Sequence, residues 1–439
     1  MDTLWSNPVE NSCHPALDTQ PTQNRSLARA GIVLFVGSLL VFLVAILLDR
    51  DRFTLLDLQV YRWGGSTAFS SDALYSSRFD DHLPFTYPPI AAIFFTPLSW
   101  IPLEALKWLS ILANALLVPA LGWVAVSAMA RQRGHRIARE QQIALVGTAS
   151  AILLFVEPVQ QTIWFGQINL FLAVVVLADL CLPDTSRWKG VGVGIASAVK
   201  LTPLIFVAYL LWSGRIRATV VALATFVGMM GVGFVALPRE SRSFWIDRLF
   251  LDSDRVGGIS YISNQSIHGV AARVLGGADQ ASTLWLASAL VVGLIGFASA
   301  VVAARQGREV LGVLLCALTG LMVSPISWSH HWVWIVPFST AALYSLAFRV
   351  SSSLVSRVRQ LLVSPVNVLI ALGVIATIGI AIRPSLRRFG FWFAPNSEGQ
   401  WYTWTFWQAM YGNAYVLAGL LGVVAGAVMV GRATTITKR

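Results

Sequence analysis

Residues 31–48 read GIVLFVGSLLVFLVAILL, eighteen residues without one charge. The run is long enough to cross a hydrocarbon core of about 30 Å as a helix. Its apolar residues do not alternate with polar ones, which argues against a half-buried strand. It follows Arg25 and Arg29 and carries no small-residue cleavage site, so it reads as a retained membrane helix, not a removed signal peptide.

The rest of the chain repeats the pattern. Runs of the same character occupy 105–128, 141–157, 167–183, 216–237, 283–304, 309–323, 331–349, 363–382 and 411–431, and with the first run extended to 29–48 they make ten. Of the 439 residues 56% are hydrophobic and 12% charged, and the mean hydropathy is +0.67. A soluble domain carries about a quarter charged residues. Because lipid leaves spanning backbone no partner but itself, the expectation is an all-α polytopic membrane protein.

Two stretches resist a simple count. Residues 88–102 are apolar but short and bounded by prolines, and 190–212 carry Lys200 and Pro203 in mid-run. Charge helps to place them. The loops 131–140, 184–189, 213–217, 305–309 and 349–359 and the tail after Gly431 are rich in Arg and Lys, whereas 49–104, 238–282 and 383–410 are near neutral. All basic loops fall on one side if 88–102 is re-entrant and 190–212 is a broken pair of half-helices, giving ten spans with both termini cytoplasmic. Counting both stretches as spans gives twelve. The ten-span reading sets 49–104, 158–166, 238–282, 324–330 and 383–410 on the non-cytoplasmic face of the plasma (inner) membrane. It leaves a polar tail at 1–28, one transmembrane unit over 29–431 and a short cytoplasmic tail at 432–439. The net charge of +11 is spread over these short loops as a topology signal, which argues against a nucleic-acid partner. Cys13, Cys181 and Cys316 are far apart and form no CxxC motif.

The outer segments hold the polar constellations. In DLQVYRWGG, 57–65, Asp57 stands just beyond the first helix, where partial burial raises a carboxylate toward a general base's working range. A helix N-cap or a salt bridge to Arg62 is the plainer reading. In LPFTYPP, 83–89, Phe85 and Tyr87 suit an aromatic belt or a sugar-stacking platform, as Tyr61 does upstream. In QQTIWFGQINLF, 160–171, Gln160, Gln161, Gln167 and Asn169 flank aromatics, as sugar hydroxyls and faces require; a helix cap is the alternative. ISYISNQSIHGVAARVLGG, 259–277, gathers Asn264, Gln265, Ser266, His268 and Arg273, fit to meet a lipid phosphate or to be a solvated loop. SPISWSHHWVWIVP, 324–337, sets His330 and His331 at a helix opening. Helical neighbours point about 100° apart, so the pair does not read as a metal clamp. One of them suits a phosphate or sugar hydroxyl, and an interfacial cap among tryptophans is the alternative. Lys200 in an apolar run needs a partner: Glu157, Asp179 or a lipid phosphate. The aromatic stretch 387–408 suits the interface or a glycolipid groove. Walker A, GxGxxG, GxSxG and HExxH motifs are absent, so no soluble nucleotide sugar is expected.

Six blocks in order, DLQVYRWGG, LPFTYPPIAAIFFTPL, FGQINLFLAVVVLADL, GVGIASAVKLTPLIFVAYLL, SNQSIHGVAARVLG and SPISWSHHWVWIVP, resemble the signature blocks of glycosyltransferase family 87, actinobacterial enzymes of GT-C type. The resemblance implies a GT-C-type fold of ten to twelve transmembrane helices with re-entrant or interfacial helices, and a carboxylate in the first outer loop, which Asp57 matches. It implies transfer of mannose from the membrane lipid polyprenyl-phosphate-mannose, with inversion, to the α-1,2 position of a phosphatidylinositol mannoside. No cofactor or metal is expected beyond that co-substrate. Asp57 is then the base; His330, His331, Lys200 and Arg273 are candidates for the donor phosphate; Gln167, Asn169, Asn264, Gln265, Tyr61, Arg62 and Tyr87 are candidates for the sugars. A lipomannan α-1,2-mannosyl brancher or an arabinosyltransferase of the same family is the enzymatic alternative, and a lipid-linked sugar flippase or transporter the non-enzymatic one.

Overall fold

The computed structural model describes residues 21–48, 53–70, 74–134, 136–252, 255–347 and 404–436. The chain is helical nearly throughout. The first long run forms α1 (Pro21–Leu48), so the polar residues 21–28, expected in the tail, extend the helix instead. A short helix α2 (Leu56–Thr67) and an antiparallel hairpin of two-residue strands, β1 (Arg78–Phe79) with β2 (Leu83–Pro84), lead to α3 (Pro89–Phe95) and a 3-10 turn over Thr96–Trp100. Next come α4 (Leu103–Gln132), α5 (Arg139–Leu153), α6 (Glu157–Phe165), α7 (Asn169–Leu180), α8 (Val191–Val199), α9 (Ile205–Trp212) and α10 (Ile216–Ala236). The second half holds α11 (Pro238–Ser241), α12 (Ile267–Leu275), α13 (Ala278–Arg305), α14 (Glu309–Val323), α15 (Ile335–Ala347), α16 (Phe406–Gly412) and α17 (Ala414–Ile436).

Among the described residues five helices, α1, α4, α10, α13 and α17, are long and apolar enough to cross a membrane, and six spans result if α5 and α6, bent by 73°, count as one. The segment 158–166, expected as an outer loop, is this second arm of the bend. Residues 190–212 are broken as expected, at Lys200, whose extended backbone (φ −146°, ψ 131°) separates α8 from a 3-10 turn and α9. The 89–100 stretch is short for a span: twelve residues reach roughly 18 Å as an α-helix. The expected span 363–382, the basic loop 349–359 and most of 383–410, including the start of the aromatic stretch 387–408, lie outside the described residues.

Small residues allow close helix contact, as usual where lipid supplies no hydrophobic drive between helices. A Cβ on Gly147 of α5 would stand 2.5 Å from the Gly31 carbonyl oxygen of α1. The central core is built from α4, α6, α7 and α8, with Leu121, Val159, Ile163, Leu170 and Val193 fully buried.

The polar segments sort to two ends. At one, Arg215 bridges Asp184 (3.0 Å) and Glu309, Arg305 donates to the Trp212 carbonyl (2.6 Å), and Arg131 donates to the Cys181 carbonyl (3.4 Å). Four of the basic loops therefore meet. At the other, the first outer segment, the α6–α7 junction, the 259–266 loop and the 324–334 stretch converge on one cluster.

Candidate active site

Asp57 lies in the first turn of α2. The residue at the N-cap is Leu55, left-handed at φ 47° and fully buried, so Asp57 does not cap the helix. Nor does it pair with Arg62, which donates to the Ser99 carbonyl (3.3 Å) in the turn after α3; both plain readings of Asp57 fall. The partner is Gln167, whose Nε2 donates to Asp57 Oδ2 at 2.6 Å.

That contact follows from two close approaches. Gly166 ends α6 at φ 67°, where a side chain is strained, and a Cβ there would also stand 2.6 Å from Leu58 Cβ. Only glycine brings the α6–α7 junction onto the start of α2, and Gln167 is the next residue. The two glycines of DLQVYRWGG let α2 approach closely on two sides: a Cβ on Gly65 would meet the Phe95 carbonyl oxygen of α3 at 2.4 Å, and one on Gly64 the Phe85 ring at 2.4 Å. Tyr61 consequently stacks on Phe95 (centroids 4.5 Å apart, 14° between planes) and meets Tyr87 edge-on.

Behind the carboxylate the hydroxyls of Tyr61 and Tyr87 lie 2.8 Å apart, and Tyr61 donates to Gln167 Oε1 at 2.7 Å. The Tyr87 hydroxyl reaches the same oxygen at 3.4 Å. Tyr61, Tyr87 and Gln167 are all buried. Expected to contact sugar, they bond one another, and Gln167 alone bonds Asp57. Asp57 itself keeps partial exposure. The dense apolar surroundings push its carboxyl up to about 6, against the smaller opposing effects of the Gln167 bond and the Lys200 charge.

Lys200 sits at the α8–α9 break. Its Nζ donates to Asn169 Oδ1 (2.8 Å), lies 3.4 Å from His331 Nε2 and stands 5.5 Å over the Tyr87 ring. Neither expected carboxylate partner holds it. Asp179 accepts the Gly190 (2.9 Å) and Val193 (3.0 Å) N–H groups at the start of α8, and Glu157 accepts from the Tyr415 hydroxyl (2.6 Å). Asn169 Nδ2 donates to the His330 carbonyl (2.9 Å), which Thr162 also reaches (3.1 Å), so Asn169 anchors Lys200 and the histidine turn together. Thr162 was missed in the sequence; only the folded α6 brings it near residue 330.

The two histidines separate. The His330 ring is buried edge-on against Phe165, and its Nε2 has no protein hydrogen-bond partner. His331 is partly exposed and, with Lys200, Asn169, Ser324 and Ser327, forms the polar end of a cavity of about 360 Å³. Leu172, Val176, Phe206, Leu321 and Trp334 line its apolar remainder. Nothing in the sequence marked these residues, because each reads as ordinary core.

Asn264, Gln265 and Arg273 are used up elsewhere. Asn264 donates to the Ile259 (2.8 Å) and Pro325 (3.1 Å) carbonyls and accepts from Ser327 N (2.9 Å). Gln265 donates to the Ile262 and Gly412 carbonyls (2.8 Å each) and accepts from Tyr415 N (3.2 Å). Arg273, 2% exposed, gives Nε and Nη2 to Asn413 Oδ1 and Nη1 to the carbonyls of Tyr261 and Asn264. A guanidinium so enclosed has no face left for a phosphate. Asn264 fastens the 324–329 loop that leads into the histidines, while Gln265 and Arg273 tie the 259–266 loop to the α16–α17 junction; all three, expected at ligand, bond protein groups. Among the described residues no three His, Cys, Asp or Glu side chains come together.

The model of glycosyltransferase family 87 matches residues 85–325, more than half of the chain. A Mycolicibacterium smegmatis protein, polyprenol-phosphate-mannose-dependent alpha-(1-2)-phosphatidylinositol pentamannoside mannosyltransferase, is 34% identical over 321 residues, 71% of this chain and 75% of the relative. Its Mycobacterium tuberculosis namesake is 35% identical over 321 residues, covering 70% and 71%. A second M. tuberculosis relative, polyprenol-phosphate-mannose-dependent alpha-(1-2)-phosphatidylinositol mannoside mannosyltransferase, is 33% identical over 298 residues, covering 64% and 68%. No solved structure shows significant similarity to the chain. On the family match and these relatives together, the chain belongs to glycosyltransferase family 87.

Proposed function

We propose that this protein is an inverting α-1,2-mannosyltransferase that takes mannose from polyprenyl-phosphate-mannose and adds it to a phosphatidylinositol mannoside. Family membership and the names of three relatives support the substrates. The single observation that carries the chemistry is the placement of Asp57, Lys200 and His331: all three keep partial exposure, while Gln167, Tyr61, Tyr87 and Asn169 are buried behind them.

The chemistry needs little. A lipid phosphate is a competent leaving group, so the demand on the protein is a base for the acceptor hydroxyl and charge for the departing phosphate. The acceptor oxygen attacks the anomeric carbon and its proton passes to an Asp57 carboxylate oxygen. The bond from that carbon to the phosphate oxygen breaks, and the electron pair leaves with the phosphate, where the Lys200 ammonium and His331 receive it. One displacement inverts the anomeric centre, from a β-linked donor to an α-linked product. The cavity beside Lys200 suits such a donor, since a cation and an imidazole close one end and apolar side chains line the rest, as an anionic head on a prenyl chain requires.

The same reading places ten to twelve crossings over a single unit at 29–431, both tails cytoplasmic, and the site on the periplasmic face of the plasma membrane. Support comes from the meeting of the basic loops at the end of the bundle away from Asp57. It requires no metal and no soluble nucleotide sugar. Purified protein given each donor lipid with each acceptor tests it. A new α-1,2-mannosidic bond from the mannosyl donor is expected. Transfer only from an arabinosyl donor, or sugar movement across the membrane without a new bond, would overturn it.

A further inference from the structure

Gln167 is a primary amide, and its two ends differ: one presents a carbonyl oxygen, the other two N–H donors. Which end faces Asp57 decides whether the base is stabilised or repelled. The carboxylate settles this: an ionised Asp57 only accepts, so Gln167 Nε2 donates to it and Oε1 faces the tyrosines. Tyr61, the nearer hydroxyl, gives Oε1 its proton at 2.7 Å, and Tyr87 lies 3.4 Å from the same oxygen. With that proton so placed, Tyr87 is the donor in the 2.8 Å contact between the tyrosines, and the protons run from Tyr87 to Tyr61 to Gln167 Oε1. The reverse amide would set its carbonyl oxygen 2.6 Å from a carboxylate oxygen, which only a protonated Asp57 tolerates.

We propose that Tyr61, Tyr87 and Gln167 form a one-way hydrogen-bond chain that positions Asp57 and holds it ionised for catalysis. None of the three touches the reacting atoms; they are positioning residues acting through the carboxylate. The chain is rigid by construction. Tyr61 is pinned by its stack on Phe95, the Tyr75 hydroxyl donates to the Tyr87 backbone carbonyl (2.8 Å), and Lys200 stands over the Tyr87 ring. Tyr87 thus touches both the donor-side cation and the chain that ends at the base. The inference rests on Asp57 being the base.

The test is the pH profile of kcat/KM for the wild type, Tyr61→Phe, Gln167→Met and the double variant, with Asp57→Asn alongside. Tyr61→Phe keeps the ring stacked on Phe95 and removes only the hydroxyl. Losing the hydrogen bond to the charged carboxylate moves its pKa by about one unit, so the acid limb moves up by about one pH unit in Gln167→Met, and by less in Tyr61→Phe, where Gln167 keeps its bond to Asp57. At pH 6 this appears as a further loss of about five-fold, and donor KM does not change. The double variant moves the limb no further than Gln167→Met alone, because Tyr61 acts only through Gln167. A limb that stays in place in whichever variant folds, with only the rate reduced, overturns the chain. Additive shifts in the double variant also overturn it. If Asp57→Asn keeps wild-type activity, the base assignment itself has failed, a separate outcome from an unmoved limb.

Discussion

Lowering the pH from 7 to 5 is the gentlest perturbation of the proposed base. Asp57 must be ionised to accept the acceptor's proton, and burial pushes its carboxyl from the ordinary 3.8 up to about 6. The sign follows directly: activity is present above the raised value and is lost as pH falls through it. With a value of about 6, the ionised fraction is about 90% at pH 7 and about 9% at pH 5, a ten-fold drop in kcat/KM. An aspartate at the ordinary value would remain about 94% ionised at pH 5 and show almost no change. The donor phosphodiester stays charged throughout and adds no slope of its own. Initial rates with defined donor and acceptor, measured from about pH 4.5 to 8 with stability checked at each point, give the profile. A rate that stays flat to pH 5 refutes the assignment of a buried carboxylate as base.

Three further outcomes separate the site from its scaffold. Lys200→Met removes the cation at the cavity's polar end; a charge-assisted contact of about 1.5–3 kcal/mol is lost, and kcat/KM for the lipid donor falls about 10- to 150-fold, with much less effect on acceptor KM. Arg273→Met strands the Asn413 side chain and the Tyr261 and Asn264 carbonyls, a cost of about 3 kcal/mol or more read as a lower thermal midpoint, while donor KM in the folded fraction is unchanged. Exhaustive chelation leaves transfer unchanged; a loss restored by a divalent ion would overturn the metal-free reading.

The helical class was legible from residues 31–48 onward, because the demand that lipid makes of the backbone leaves few alternatives. The break at Lys200 was legible too, since a buried ammonium followed by proline rarely continues a helix. Asp57 was identifiable by position, and His331 only as one of a pair. What composition hides is direction. Asn264, Gln265 and Arg273 have the side chains that a ligand site needs, yet their hydrogen bonds close on backbone carbonyls of their own loop and its neighbours. Tyr61, Tyr87 and Gln167 were placed in the right region, but their bonds to one another and to Asp57 were not legible. Those bonds span up to 110 residues, and no local pattern reports such a contact. The cavity wall was invisible for the opposite reason: Leu172 and Val176 belong to an ordinary apolar helix until the neighbouring helices leave a gap beside them.

Replacement of the Asp57 carboxylate by its isosteric amide most directly tests the central claim. Asp57→Asn, purified in parallel with the wild type and confirmed to be folded, is assayed for a new mannosidic bond from polyprenyl-phosphate-mannose to a phosphatidylinositol mannoside. A positioned base contributes about 10²- to 10⁴-fold, so transfer falls by at least about a hundred-fold while donor binding persists. Product formed at close to the wild-type rate would contradict the account.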